Sequence, residues 1–295
     1  MSNPTRGRGY MPDVPGVEDL SPKSARIKSL LSGTAYGKAI SGAAGSAALL
    51  SSKDLRSEFP PVFDQGQLGS CTANAAAGLI DYFERKANGD YVDPSRLFIY
   101  KVTRDLDGST GDTGAYLRTT MKALKLFGVP PEEVWEYDSA APGFNKLFDL
   151  EPTAFCYAYG RNYAAVEPFR LDPIGSITPT QVLEQIKVAL SNGFPSVFGF
   201  NVYPEFENHW DHTGDILYPA LNSQSSGGHA IVAVGYDDAH AVGGKPGALI
   251  VRNSWGADWG LNGYAYMSYD YVTQGLAVDW WTMAKQQWID TGKFN

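Results

Sequence analysis

Apolar positions follow two different rhythms along this chain. In the first half they recur at helical spacing. Residues 71 to 87 place Ile80 and Phe83 on one side of an Ala-rich segment that stops at Asn88-Gly89, a natural helix end. Residues 115 to 127 put Leu117, Met121 and Leu124 on one stripe before Gly128-Val129-Pro130, where glycine and proline break the pattern. A third helix is predicted over 179 to 192, opened by Thr178 with Gln181 three residues on, the spacing of a capping box. After that the texture turns to short β-branched and aromatic runs: 196 to 201, 230 to 236, 249 to 252 and 264 to 269. These read as strands. The expected class is α+β, with a helical lobe over about 60–160 and a β lobe over about 161–295.

Residues 1–50 have another character. They are rich in Pro, Gly, Ser and Ala, and poor in large side chains. Six basic residues (Arg6, Arg8, Lys23, Arg26, Lys28, Lys38) outnumber Asp13, Glu18 and Asp19, a net of +3 on a chain whose total is −8. An acidic body does not suit phosphate neutralisation, which argues against nucleic acid as a partner. The composition of residues 1–50 suits a disordered arm, and a basic arm on an acidic body equally suits docking of one on the other. The arm is therefore expected to act as an intramolecular ligand, with the small-residue stretch Gly33 to Ser52 as its flexible hinge. No apolar run reaches the roughly 20 residues a bilayer requires, so no membrane partner is expected. The first residues lack the apolar core of a secretory signal, which points to a cytoplasmic or non-classically exported protein.

Two cysteines cannot build a disulfide framework. Cys156, inside Ala154-Phe155-Cys156-Tyr157, reads as core. Cys71 differs: it follows Gln65-Gly66-Gln67-Leu68-Gly69-Ser70 and starts the first helix. A thiol at a helix N-terminus sits among unpaired N–H groups, which favour thiolate, the nucleophilic form. A thiolate nucleophile needs a base, and the chain has only 4 histidines. His229 precedes the strand Ile231-Val232-Ala233-Val234, and Asn253 ends the strand Leu249-Ile250-Val251-Arg252. An antiparallel hairpin turning near Ala241 would set His229 opposite Asn253, with β-carbons about 5 Å apart. The amide oxygen could then hold the imidazole and leave its other nitrogen for the thiol. His240 falls in the turn of that hairpin and is expected to be exposed. Glu207-Asn208-His209-Trp210-Asp211-His212 could ligate a metal, but a solvated loop is the stronger reading.

Taken together, Gln65-Gly66, Gly69-Ser70-Cys71, Gly228-His229-Ala230, Val234-Gly235-Tyr236 and Asn253-Ser254-Trp255-Gly256 resemble the papain-like cysteine peptidases, in the family's order and near its spacings. The resemblance runs from about Asp54 to Tyr269. It implies a two-lobe fold, a helical lobe facing an antiparallel β-barrel across a cleft. It implies peptide-bond hydrolysis with Cys71 as nucleophile, His229 as base and acid, Asn253 orienting the histidine, and Gln65 with the Cys71 N–H holding the oxyanion. It further implies that Trp255 covers the His229–Asn253 bond, and that Gly114, Ala115, Tyr116 and Leu117 line one cleft wall with Gly227 and Gly228 on the other. Peptides or proteins would be the substrates, with no cofactor and no metal. Leu68 stands where many relatives have a disulfide cysteine, and Thr72 where a tryptophan is common. Residues 1–50 are too short for the long helical propeptide of plant and animal relatives. An endopeptidase, self-inhibited by the arm, is the first reading. Aminopeptidase or acyl-transfer activity on the same site, or a silent papain-like binding module, are the others.

Overall fold

The structure is a computed structural model that describes residues 6–42, 49–138, 147–164, 166–175, 177–207 and 214–295. Helix α3 (Cys71–Asn88) is the central element of the helical half and is buried along most of its length. It ends on Gly89 at φ 80°, a left-handed cap that a side chain would strain. Helices α4 (Arg96–Leu106) and α5 (Leu117–Phe127) pack on it and on each other. Helix α4 escaped the sequence reading because Arg96, Lys101 and Arg104 interrupt its apolar stripe. Each is nonetheless buried and paired, with Glu132, Asp105 and Asp149 respectively. The short α6 (Ala154–Gly160) buries Cys156. Helix α7 (Pro179–Ser191) carries the capping box at Thr178 and Gln181.

The β half is one eight-stranded sheet. Its order is β4 (Glu167–Arg170), β10 (Ala277–Ala284), β5 (Ser196–Val202), β7 (Gly227–Val242), β8 (Lys245–Arg252), β9 (Tyr264–Ser268) and β6 (Asp215–Ile216), with β2 (Ser52–Asp54) added on β7. All pairs are antiparallel except β6 with β9. The expected barrel is not closed: among the described residues no hydrogen bonds join β4 to β6, and the sheet stays open at both edges. Helix α3 packs on β7, and this contact brings the two halves together at the start of the helix.

The arm departs from the sequence reading. Gly33 to Ser52 is not a flexible hinge throughout, because α2 (Ala35–Ile40) lies within it, capped by the Thr34 side chain. With α1 (Ala25–Leu31) it inserts Ile27, Leu31 and Tyr36 fully into the core. Tyr36 packs on Phe194 at 4.9 Å between ring centroids and on Phe169 at 6.3 Å. Further upstream, β1 (Tyr10–Met11) pairs in parallel with β3 (Ala115–Tyr116), a strand from the helical half. Removing residues 1–50 would therefore strip core packing as well as expose the cleft.

Candidate active site

The first turn of α3 presents Cys71, wholly buried. Ser70 precedes it, bonded to the Tyr137 hydroxyl at 2.7 Å, and Tyr137 in turn donates to the Gln65 carbonyl at 2.8 Å. The loop between is fixed from the other side by Asp112, which accepts from Gly69 N at 2.9 Å and from the Tyr100 hydroxyl at 2.6 Å. This scaffolding by Tyr100, Asp112 and Tyr137 was invisible in the sequence, since none lies next to a motif it supports.

His229 and Asn253 are bonded, Nε2 to Oδ1 at 2.8 Å, but not as cross-strand partners. The pairing of β7 with β8 sets Val232 opposite Arg252, and two register shifts carry the strands on to a tight turn at Gly243-Gly244. Extended toward the site, that register puts His229 opposite Trp255, two residues beyond Asn253. The first shift inserts one extra residue in β7 and the second inserts two, so a turn inferred from symmetric counting is displaced. Trp255 accordingly stacks on His229, with ring centroids 4.7 Å apart and planes 27° apart. His240 is also corrected: it lies in β7, half-buried, stacked on Tyr266 at 3.8 Å and bonded to Asp215 at 2.7 Å. Residues 208–212 of the suggested metal cluster lie outside the described residues.

The second imidazole nitrogen, Nδ1, is buried without a hydrogen-bond partner. The Cys71 sulfur lies against backbone N–H groups of Ala230, Thr72, Tyr10 and Cys71 itself, and Ala230 is the residue after His229. Gln65 is fully buried. Its Nε2 donates to the Leu68 carbonyl at 2.9 Å, and its Oε1 accepts from Ser254 at 2.6 Å. One amide proton remains for a developing oxyanion.

The two supposed cleft walls are both occupied by the arm. Gly7 N donates to Gly66 O at 2.8 Å, and Trp255 Nε1 donates to Gly7 O at 3.0 Å. Gly9 spans the gap: its N–H reaches Gly228 O at 3.1 Å, and its carbonyl accepts from Ala115 N at 2.7 Å. These approaches need bare backbone. A β-carbon on Gly114 would lie 2.1 Å from Gly9 O, and one on Gly228 2.1 Å from Tyr10 O. The Tyr10 ring lies over Gly199, where a β-carbon would come within 2.0 Å of it. Arg8 passes beside Gly227, bonds Ser226 O at 2.6 Å and pairs with Glu207. Tyr116 is half-buried beside Met11, and Leu117 is fully buried at the start of α5. The only sequence sign of this arrangement is the alternation Arg6-Gly7-Arg8-Gly9.

With water excluded, burial overrides the helix N-terminus. It pushes the Cys71 thiol up to about 12, against the opposing pull of the surrounding N–H groups. Burial also lowers His229 to about 4, outweighing the Asn253 bond, which favours the charged ring, while the nearby Arg8 guanidinium adds to the depression. The expected thiolate is thus absent while the arm is seated: at neutral pH both groups are uncharged.

A two-lobe α+β fold with a cysteine and a histidine buried at the lobe junction defines a class, the thiol peptidases. Residues 49–281 match the papain family cysteine protease model, and the chain belongs to that family. It is 40% identical over 222 residues to a peptidase C1-like protein of Acanthamoeba polyphaga mimivirus, covering 74% of this chain and 68% of that one. Oryzain gamma chain of Oryza sativa subsp. japonica is 27% identical over 239 residues, which span 79% of this chain and 59% of the relative. Among solved structures, xylellain, a cysteine protease from Xylella fastidiosa, superposes with a TM-score of 0.75 at 33% identity, covering 97% of this chain and 98% of its own. The digestive procathepsin L 3 of Tenebrio molitor shares the fold, with a TM-score of 0.61 at 18% identity.

Proposed function

We propose that this cysteine peptidase is an endopeptidase working through Cys71, His229, Asn253 and Gln65, and that its own residues 7–11 hold it inactive. The observation that carries this reading is the path of the arm. It runs over the candidate nucleophile between Gly114–Tyr116 and Gly227–Gly228, using backbone bonds that an extended peptide substrate would use.

The arm escapes cleavage because of what it presents. The sulfur meets the N–H of Tyr10, and the oxygen of the carbonyl bonded to that nitrogen, Gly9 O, is held by Ala115 N at 2.7 Å and not by Gln65 or the Cys71 N–H. When the arm leaves, water re-enters and the desolvation that keeps both groups neutral is lifted. The helix N-terminus and the adjacent imidazole then favour a Cys71 thiolate beside a protonated His229. The thiolate attacks the substrate carbonyl, and the oxyanion is held by the Cys71 N–H and the remaining Gln65 amide proton. His229 gives its proton to the leaving amine, and the thioester forms. It then takes a proton from water, whose oxygen attacks the thioester and restores the thiol. Asn253 keeps the ring oriented through Nε2, and Trp255 shields that bond. Peptides and proteins are the substrates, and the reaction draws on no cofactor.

Replacing Cys71 with Ala should abolish hydrolysis of an end-blocked peptide by chain whose arm has been displaced, a loss on the order of 10⁶-fold. Substantial residual turnover would overturn the assignment. Cleavage of free but not end-blocked peptides would favour an aminopeptidase instead.

A further inference from the structure

At the C-terminal end of α3, far along the helix from Cys71, Tyr91 and Tyr163 line a cavity of about 240 Å³. Its deeper residues are apolar and buried: Ile80, Val129, Pro94, Pro130 and Pro131. Tyr91 also lines a second cavity of about 240 Å³, together with Val62 and Phe63. Phe63 stands two residues before Gln65, and its carbonyl accepts from Gly256 N at 3.0 Å, next to Trp255. The shared tyrosine makes one groove of the two cavities, beginning beside the active-site loop. Past Tyr163 it continues as an aromatic ladder. Tyr159 stacks on Tyr163 with centroids 6.1 Å and planes 15° apart, and Phe155, 60% exposed, packs on Tyr159 at 5.6 Å. The four-residue spacing puts all three rings on one side. A connected apolar surface of this kind marks a site of interaction.

The rim is acidic. Glu84, Asp90, Asp93 and Glu132 line the groove against one cation, Arg96, which is paired with Glu132. Glu84 is engaged by Asn88 and Trp288 and lies 4.0 Å from Lys285. Among the described residues neither Asp90 nor Asp93 forms an ion pair. Burial raises the Tyr91 phenol above its ordinary value, and Asp93, Asp81 and Asp90 push the same way against Arg85. The field over Tyr91 is therefore negative.

The groove's own backbone is already bonded. Ser95 N donates to Pro130 O at 2.9 Å, Glu132 N donates to Asp93 O at 2.7 Å, and Pro94 bridges Pro131. Its three prolines have no N–H to offer. A peptide cannot be added here as a strand, so its side chains must hold it. A polyproline II segment meets that condition. It needs no backbone partner, lays its rings on aromatic faces, and arrives already extended, which lowers the entropy lost on binding. Arginine or lysine between the prolines would face Asp90 and Asp93, and arginine also rests well on a tyrosine face.

We propose that this groove is an exosite that docks a proline-containing, basic segment of a protein substrate, outside the stretch being cleaved. As a device for recruiting substrate it rests on the peptidase reading above; as a binding surface it stands without it.

The test uses the full-length Cys71→Ala chain, which cannot cut the probe, and an end-blocked, fluorescein-labelled (Pro-Pro-Arg)₃ peptide read by anisotropy. Saturable binding is expected, at least about 10-fold tighter than for (Pro-Pro-Glu)₃ or (Gly-Gly-Arg)₃. Tyr91→Ala and Tyr163→Ala should each weaken it about 10-fold or more. Asp90→Asn with Asp93→Asn should weaken it roughly 3–10-fold and flatten its salt dependence, with the melting temperature unchanged. Equal affinity for the three peptides, or undiminished binding by the tyrosine and aspartate variants, would overturn the inference. Self-association at micromolar protein that Tyr163→Ala abolishes would also overturn it, giving the groove to a second copy of the chain. Joined by a flexible linker to an end-blocked substrate, the segment should lower KM about 10-fold for full-length chain whose arm has been displaced, leave kcat alone, and lose the gain in Tyr163→Ala. Binding without any fall in KM would refute the exosite. Binding by a chain that hydrolyses no peptide would uphold the docking surface and defeat the catalytic assignment instead.

Discussion

Residues 6–11, the plug over the cleft, and residues 25–40, the anchor in the core, lie within about 35 residues of one another, yet opposite physics holds them. Residues 6–11 put bare backbone against bare backbone, glycine on glycine, with only the Tyr10 ring deeply buried. Residues 25–40 put Ile27, Leu31 and Tyr36 into a shared aromatic core with Phe169, Phe194 and Phe294. Burying one such side chain contributes roughly 1.5–3 kcal/mol. Three together are comparable with a domain's whole net stability of about 5–15 kcal/mol. A backbone hydrogen bond nets only about 1 kcal/mol, because the same groups bond water when released. The difference teaches that a segment held by backbone bonds that water can replace comes away far more cheaply than one held by apolar burial.

The contrast is broken most severely by crowding the plug. Gly9 has φ 127°, and a β-carbon there would lie 2.1 Å from Gly69 O. Gly9→Val should unseat residues 7–11 and raise Cys71 alkylation at least 100-fold, with little change in melting temperature. An equal fall in stability would show that the plug is structural after all. The complementary change, Leu31→Ala, should cost about 2–5 kcal/mol in denaturant unfolding and leave Cys71 protected under native conditions. Early exposure of Cys71 in that variant would mean that the two parts act as one.

A smaller effect comes from pH. In the Cys71→Ala chain, where no thiolate can pair with the ring, the seated arm holds His229 near 4, below the ordinary 6.5 to which it returns once exposed. The released state therefore binds the proton more readily. Stability of the plugged form is fully present above pH 6.5 and is lost as pH falls toward 4. Between pH 7 and 5 the plugged-to-released ratio should drop roughly 20-fold. The protection factors of the Gly7 and Gly9 amides, corrected for intrinsic exchange, would measure it, and no change would show that His229 is not coupled to the arm.

Much of this molecule was legible in the sequence, for identifiable reasons. Helices α3, α5 and α7 announce themselves through caps and stripes that are local chemistry, such as Gly89 and the Thr178–Gln181 box. Belonging to the papain family was legible because its motifs are contiguous. The β7–β8 register was not, because bulges leave no mark in composition and a single inserted residue moves every later pair. Helix α4 hid behind charged residues whose partners, Glu132 and Asp149, are distant in sequence. The arm misled most. Its small residues read as a hinge, whereas Gly37 lies where a β-carbon would come 1.8 Å from Leu31 O, a sign of close packing. Low bulk in a segment can mean freedom or contact, and only the surface it meets decides between them.

The most direct measurement is the rate at which an epoxide inhibitor of thiol peptidases modifies Cys71, compared between the intact chain and the Gly9→Val variant. Slow labelling of the intact chain and fast, stoichiometric labelling of Cys71 in the variant is the result expected of a covered nucleophile. Equal rates in the two forms, or modification falling on Cys156 instead, would contradict it.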